Sequence, residues 1–183
     1  MEPLIPRPAL EGELVRLRAR EQADLSHLNQ MFNDPEVSAG LMMTFPQSLS
    51  GIREWVERTR RADDQVVFVI ETLENQKAIG ICGLEHIHAR ARSAEFGIWI
   101  GRPHWNRGYG TDASRVACRF GFKHMNLHRI ELHTYPETNP RAVRAYEKAG
   151  FKSEGTLREA WFLDGRHIDV AVMGLFENEL VGS

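Results

Sequence analysis

Residues 93–111 of the chain read SAEFGIWIGRPHWNRGYGT, which is a strand pattern followed by a glycine-rich turn. Every second side chain from Ala94 to Ile100 is apolar, and this period of two predicts a β-strand. The segment after the turn, 111–124, carries an apolar stripe at helical spacing. Glycines let successive backbone N–H groups converge, and the free N–H groups at a helix N-terminus attract an anion. The stretch therefore predicts a strand, an anion-binding turn and a helix.

Three kinds of phosphate-binding turn compete for this stretch, besides a tight turn that holds no ligand. A P-loop is excluded because no Gly-Lys-Ser/Thr closes the turn. A dinucleotide-binding turn accepts Gly-x-Gly-x-x-Ala, which residues 108–113 match. That fold, however, places the turn in its first β-α-β unit, whereas several antiparallel strand patterns come first here, and Glu131 lies inside its strand. The third candidate is a turn for the diphosphate of coenzyme A, with Arg107 as a cation beside it.

The segments on both sides of the turn predict one α/β domain over residues 1–183. Asp34-Pro35 is expected to stop the first helix and Gly150 to cap the last. Asp164-Gly165 lies between two alternating segments and predicts a hairpin. Strands are predicted at 13–18, 65–72, 77–86, 93–101, 129–135, 152–163 and 166–176, and helices at 22–33, 48–61, 111–124 and 139–149. This order of elements predicts a mixed sheet.

The composition is that of an ordinary soluble protein. The chain has 183 residues and a formal net charge of -2, so no strong field draws it to nucleic acid or to an anionic membrane. Met1–Ala9 contains prolines and lacks an apolar core, so we expect no signal peptide. Cys82 and Cys118 lie far apart without CxxC spacing, which fits a reducing compartment. We therefore expect a cytoplasmic protein with no nucleic-acid or membrane partner.

A second motif lies downstream, where residues 139–151 read NPRAVRAYEKAGF. Together with residues 105–111, this segment resembles the GNAT superfamily of acetyltransferases, and the resemblance runs over nearly the whole chain. Segments 14–18, 92–96 and 154–159 are similar to the branch that contains ribosomal-protein N-terminal acetyltransferases and spermidine N-acetyltransferases. One departure is Trp105, where many members have Gln or Arg. Because backbone N–H groups hold most of the anion, we expect that change to be tolerated.

The resemblance implies a mixed, largely antiparallel sheet whose two central strands splay apart, with helices on both sides. It also implies acetyl-coenzyme A as the co-substrate and no metal. The pantetheine arm of the coenzyme would lie in the splay and pair with the backbone there. The residues expected to contact the coenzyme are Ile98, Ile100, Asn106, Arg107, Gly108, Tyr109, Gly110, Thr111, Asn139 and Tyr146.

Two side chains are candidates for the catalytic chemistry. Tyr146 is the candidate general acid, since a phenol of pKa ~10 can protonate a departing thiolate of pKa ~8.5; the alternative is a tyrosine that only packs under the sheet. Glu95 is the candidate base for the amine, and a solvated strand glutamate is the alternative. Glu131 and His133 are weaker candidates for the base. Asn139 is either a ligand of the coenzyme arm or the N-cap of the helix that follows it.

The predicted function is the transfer of an acetyl group to a primary amine of a protein N-terminus, a polyamine or a small molecule. A non-catalytic acetyl-coenzyme A sensor and a nucleotide-dependent oxidoreductase are the alternatives. The tail hairpin favours a homodimer. His86-x-His88 is expected to be a surface pair, because no third ligand lies at metal spacing. Several apolar residues are expected either to line the acceptor pocket or to pack in the core or a dimer: Met42, Met43, Phe45, Trp161 and Phe162.

Overall fold

The computed structural model describes residues 10–43 and 45–182, and Met1–Ala9, for which no signal peptide is predicted, lies outside them. One seven-stranded sheet runs through the molecule in the order β1-β2-β3-β4-β5-β7-β6. Every neighbouring pair is antiparallel except β4 and β5, which are parallel. The strands are β1 (Val15–Arg18), β2 (Val66–Thr72), β3 (Ala78–His88), β4 (Ser93–Ile100), β5 (Arg129–Thr134), β6 (Lys152–Leu163) and β7 (Arg166–Phe176). The predicted mixed, largely antiparallel sheet is confirmed.

In the described part of the chain, five α-helices flank the sheet, one more than the sequence patterns predict. The helices are α1 (Leu25–Phe32), α2 (Pro35–Gly40), α3 (Leu49–Arg60), α4 (Tyr109–His124) and α5 (Pro140–Ala149). The prediction that Asp34-Pro35 only stops a helix was incomplete. The Asp34 side chain accepts a hydrogen bond from the Glu36 N–H at 2.9 Å, and Pro35 occupies the first turn of α2, so the same dipeptide also begins a helix.

The two faces of the sheet carry different helices. On one face, α4 buries its stripe of Ala113, Val116, Ala117 and Phe120 against a core that includes Phe96 of β4. On the other face, α1 and α3 cover β2, β3 and β4 with a smaller apolar cluster. That cluster comprises buried Leu28, Val69 and Ile81 with the partly buried Met31, Trp55, Val67, Ala78 and Trp99. Alternate residues of β4 therefore face two separate cores, as the period of two requires.

The parallel pair β4 and β5 is joined over a short length. Only Ser93–Glu95 pairs with Arg129–Glu131. Beyond these residues, β4 continues to pair with β3 up to Ile100, while β5 continues to pair with β7 up to Thr134. The two strands therefore diverge towards their carboxyl ends, and the predicted central splay is confirmed.

The tail hairpin of β6 and β7 forms one edge of the sheet, and β6 is exposed along almost its whole length. Three large apolar side chains of β6, Leu157, Trp161 and Phe162, are exposed. An edge strand of this kind is suited to pairing with another chain, and the homodimer and the cytoplasmic location stay predictions. Within the described residues, no helix combines the length and apolar character needed to cross a membrane.

Candidate active site

A cavity of about 470 Å³ lies where β4 and β5 diverge, with the glycine turn at one end and the start of α5 along one side. All the residues predicted to contact the coenzyme line this cleft, as do the catalytic candidates Tyr146 and Glu95, whereas the weaker candidate Glu131 does not. They come from β4 (Glu95, Ile98, Ile100), from the turn and the start of α4 (Asn106, Arg107, Gly108, Tyr109, Gly110, Thr111), and from the start and middle of α5 (Asn139, Tyr146). Residues far apart in sequence are thus brought to one place.

The glycine turn has the backbone geometry of an anion site. Asn106 and Gly108 both have positive φ angles, of 60° and 84°, which turn the intervening peptide units towards one side. Helix α4 begins at Tyr109 instead of the predicted Thr111, with Gly108 as its N-cap. The first hydrogen bond of the helix runs from the Asp112 N–H to the Gly108 carbonyl at 3.0 Å. The N–H groups of residues 109–111 are therefore the free first-turn donors, at the positive end of a sixteen-residue helix.

Tyr146 both packs in the core and lines the cleft. Its ring lies edge-on to Phe96, with centroids 6.3 Å apart, and to Phe151, with centroids 5.9 Å apart. The side chain is only 8% exposed, and burial raises the pKa of Tyr146 to about 12. The phenol therefore keeps its proton throughout the neutral range and can act as a donor. Tyr146 therefore packs in the core and also lines the cleft, and its role as the general acid stays a prediction.

Glu95 is held by two imidazoles on the surface of the sheet. Oε1 of Glu95 lies 3.0 Å from the Nδ1 atom of His133, and Oε2 lies 3.0 Å from the Nδ1 atom of His86. Burial alone would raise the pKa of Glu95, but the hydrogen bonds from His133 and His86 outweigh it and lower the pKa below its ordinary value. Glu95 is therefore not simply a solvated strand glutamate. Glu131, the weaker candidate for the base, forms an ion pair in which its Oε2 lies 2.9 Å from a guanidinium nitrogen of Arg129.

Comparison with known proteins decides the family. Residues 15–152 match the model of the acetyltransferase (GNAT) domain, Acetyltransf_3. The chain belongs to the GNAT acetyltransferase family. The family resemblance and the predicted activity, acetyl transfer to an amine, are confirmed over the sensor and oxidoreductase alternatives.

Two related sequences and one related crystal structure show what this chain is similar to. An uncharacterised N-acetyltransferase p20 of Bacillus licheniformis is 32% identical over 94% of this chain and 98% of its own length. The spermidine N(1)-acetyltransferase of Vibrio cholerae is 32% identical over 89% of this chain and 93% of its own length. A crystal structure of spermidine N-acetyltransferase from Vibrio cholerae with CoA and spermine superposes with a TM-score of 0.83, at 32% identity, over 90% of this chain and 96% of that one.

Trp105, the departure from the usual GNAT turn, makes a contact that the sequence did not reveal. Its indole Nε1 donates a hydrogen bond to the Ile100 carbonyl at 2.6 Å. The Gly101 N–H bonds to Ile79 of β3 at 2.8 Å, so by strand alternation the polar backbone groups of Ile98 and Ile100 point away from β3, towards the splay. The Ile100 carbonyl is therefore already bonded, and the expected contact of Ile100 with the coenzyme stays a prediction for its N–H group. The Ile98 N–H and carbonyl and the Ile100 N–H are the groups left to face the cleft.

Three further cations line this GNAT cleft and were missed by the sequence analysis. Arg141, Arg144 and Lys148 of α5 join Arg107 there. The Arg141 guanidinium stacks over the Trp105 ring, with Cζ 3.5 Å from the ring centroid. Their spacing of three and four residues places the α5 cations on one face of the helix, which is the signal that could have found them. The anion end of the cleft is therefore more basic than the turn alone indicates.

Asn139 performs the N-cap role that was one of its two alternatives. Its Oδ1 accepts a hydrogen bond from the Ala142 N–H at 3.2 Å. Its Nδ2 lies on the cleft side, next to Gly40, since a Cβ placed on Gly40 would lie 3.2 Å from that atom. The acceptor of the amide is thus used inside the helix, and its amide donor is the group that can reach a ligand.

The residues predicted to line an acceptor pocket do not lie together. Met42 is buried, whereas Phe45, Trp161 and Phe162 are exposed and line neither the cleft nor a second cavity on the opposite face of the sheet. Met43 does line the second cavity. Cys118 is completely buried and burial raises the pKa of its thiol, so it packs as a small apolar side chain. In the described ranges, no group of three or more His, Cys, Asp or Glu side chains is arranged to hold a metal.

Proposed function

We propose that this enzyme transfers the acetyl group of acetyl-coenzyme A to the primary amine of a small acceptor. The observation that supports this most is the polarity of the cleft. Cations and free helix N–H groups lie at one end, and Tyr146 and Glu95 lie further along it. The related Vibrio cholerae enzyme, whose structure contains CoA and spermine, supports both the coenzyme and a small amine.

The diphosphate of the coenzyme fits the turn between β4 and α4. The donors are the first-turn N–H groups of α4, and the positive φ angles of Asn106 and Gly108 shape the loop before it. Arg107 and the cations of α5 neutralise the charge. The site therefore recognises the charge and shape of a diphosphate mainly through backbone N–H groups.

The pantetheine arm fits the gap between β4 and β5. An amide of the arm can accept a hydrogen bond from the Ile98 N–H and donate one to the Ile98 carbonyl, as the backbone of a neighbouring strand would. Nδ2 of Asn139 offers a further donor on the opposite wall. These contacts direct the thioester towards Tyr146, where the phenol protonates the leaving thiolate as the amine attacks the acetyl carbonyl.

The proton of the incoming ammonium is proposed to leave through Glu95 and its histidines. Glu95 and His133 both line the cleft, whereas the His86 side chain is 74% exposed. The carboxylate attracts the ammonium, and an imidazole with one nitrogen bonded to Glu95 has its other nitrogen free to carry a proton. The three side chains thus connect the cleft to solvent through two hydrogen bonds.

Replacing His133 with alanine is expected to move the acidic limb of the kcat/KM profile to higher pH. The hydrogen bond from His133 lowers the pKa of Glu95, so its removal raises that pKa and leaves less carboxylate at a given pH. The plateau is expected to fall about tenfold or more, because an imidazole that faces the cleft is lost. The measurement is thiol release as a function of pH at low amine concentration.

His86→Ala is the matched control for this prediction. It removes the other hydrogen bond to Glu95, so the acidic limb should move in the same direction. The plateau should fall less than in the His133 variant, since His86 lies outside the cleft and water can take its place at the solvent end of the proton route. Equal plateaus for the two variants would contradict a role for His133 in the cleft.

The proposed function is tested by acetyl-coenzyme A binding and turnover together. The parent enzyme should bind the coenzyme in calorimetry and release thiol in the presence of small primary amines. Gly108→Val should weaken binding about tenfold or more, because an L-residue at φ 84° is strained by ~1–2 kcal/mol and distorts the turn. Gly155→Val is the control, since a Cβ there meets nothing within 4 Å. A parent enzyme that does not bind acetyl-coenzyme A would refute the proposal.

A further inference from the structure

A second cavity, of about 560 Å³, lies on the face of the sheet that α1 and α3 cover. Its floor contains Gly83 and Gly97, which are register partners on β3 and β4. Neither residue has a side chain, and a Cβ built on Gly97 would meet nothing within 4 Å. A Cβ on Gly83 would instead lie 2.7 Å from the Val66 carbonyl oxygen, so the hollow in this sheet face opens over Gly97.

The walls of this cavity are mostly apolar and aromatic. They include Phe32 of α1, Ile52 and Trp55 of α3, and Trp99 of β4, all of them only partly buried. Phe32 and Trp99 meet edge-to-face with centroids 5.4 Å apart, and Arg20 lies over Trp55 at 4.9 Å. Rings held in place by such contacts form a preformed surface for an apolar group.

The second cavity shares a wall with the coenzyme cleft. Leu41, Gly97, Ile98 and Trp99 line both. Ile98 is also the residue whose backbone faces the splay. A molecule in the second cavity can therefore present a group to the thioester end of the cleft across the bare backbone of Gly97.

The charges of the cavity suit a single ammonium group. Its ionic lining consists of Glu54, Glu85 and Arg58, and the Arg20 guanidinium lies beside it over Trp55, so two carboxyl groups are matched by two cations. Glu85 is the register partner of Glu95, so its carboxyl lies beside the base of the cleft. Burial raises the pKa of Glu85, with Glu95 and Asp64 adding to the effect and His86 and Arg20 opposing it. A polyamine would bring two or more further cations to an apolar wall that offers them no partner.

We propose that this cavity is the acceptor site and that it takes a primary monoamine carrying an aromatic or branched aliphatic group. The apolar group lies between Trp55, Phe32 and Trp99, and the amine points past Gly97 towards Glu95. The inference rests on the proposed function and deepens it by naming the class of acceptor. It separates this chain from relatives that are named for spermidine.

The first test compares acceptors at saturating acetyl-coenzyme A. The panel contains 3-phenylpropylamine and isoamylamine on one side, and putrescine, spermidine and spermine on the other, with thiol release as the readout. The apolar monoamines should have kcat/KM values at least about tenfold higher, the scale on which an apolar pocket discriminates. A preference for the polyamines would overturn the inference and leave the proposed function intact, whereas no transfer to any amine would overturn both.

The second test fills the cavity from α3. Ile52→Trp should lower kcat/KM for 3-phenylpropylamine about tenfold or more and leave acetyl-coenzyme A affinity unchanged, because Ile52 lines only the second cavity. Arg53→Trp is the control, since this exposed neighbour lines neither cavity. Glu85→Gln should raise KM for the same amine by removing the carboxyl without changing its size. Coenzyme binding in each variant shows that the fold is retained, and unchanged amine kinetics in Ile52→Trp and Glu85→Gln would overturn the inference.

Discussion

Tyr146→Phe is expected to lower kcat about 100-fold and to change the affinity for acetyl-coenzyme A by less than about threefold. The substitution removes only the hydroxyl that protonates the leaving thiolate. The ring stays, so the edge-on contacts with Phe96 and Phe151 are retained. Burial raises the pKa of Tyr146 to about 12, so the phenol of the parent enzyme is protonated throughout the near-neutral pH range of the assay.

The other two tyrosines provide controls for this prediction. The chain has three tyrosines, and Tyr109 and Tyr135 also line the cleft. Single-turnover thiol release with Tyr109→Phe and Tyr135→Phe should remain close to the parent rate, with coenzyme binding measured alongside. The general-acid assignment fails if Tyr146→Phe keeps the parent rate, or if Tyr135→Phe shows the larger loss.

Asp112→Ala is expected to lower the free energy of unfolding by about 3–5 kcal/mol. One carboxylate oxygen accepts from the Glu13 N–H at 3.1 Å, and the other accepts from the Leu14 and Val15 N–H groups at 2.7 and 3.0 Å. Asp112 is only 6% exposed, so alanine would leave these backbone donors with no acceptor in a largely dry place. The same carboxylate lies in the first turn of α4, where a negative charge is favourable.

Urea unfolding followed by circular dichroism measures this loss, and Asp34→Ala is the control. Asp34 caps α2 through a single hydrogen bond to the Glu36 N–H, so its removal should cost only about 1 kcal/mol. Asp112→Asn should fall between the two, since it keeps one acceptor oxygen. Equal losses for Asp112→Ala and Asp34→Ala would show that the anchoring of β1 contributes little to stability.

Asp112 also shows where sequence reasoning fails. It belongs to the Gly-x-Gly-x-x-Ala match of residues 108–113, yet the N–H groups that it binds lie 97 to 99 residues away in the chain. For a related reason the sequence named Glu95 and His133 only as separate candidates and did not predict that they pair. It also did not predict the hydrogen bond from Trp105 to the Ile100 carbonyl. Each depends on where a strand end or loop comes to lie, and residue type and spacing do not encode that position directly.

The anion turn was predictable because everything it needs is local. Glycine conformations, helix N–H groups and the alternation of β4 depend on neighbours within a few residues, so the pattern in 93–111 was sufficient to predict the geometry of the turn, while the coenzyme contacts stay a prediction. The cations of α5 were equally local but were overlooked. Their spacing on one helix face was present in the sequence.

The sequence by itself determined the seven strands, four of the described α-helices, their order, the family resemblance and part of the cleft lining, since these follow from short-range periodicity and turn chemistry. Only the tertiary structure decided how β4 and β5 separate after Glu95, what holds Glu95 and Asp112, and that the bare backbone of Gly97 lies under a second cavity. Those features arise where distant segments pack together, and the free energy of such packing depends on all the partners at once.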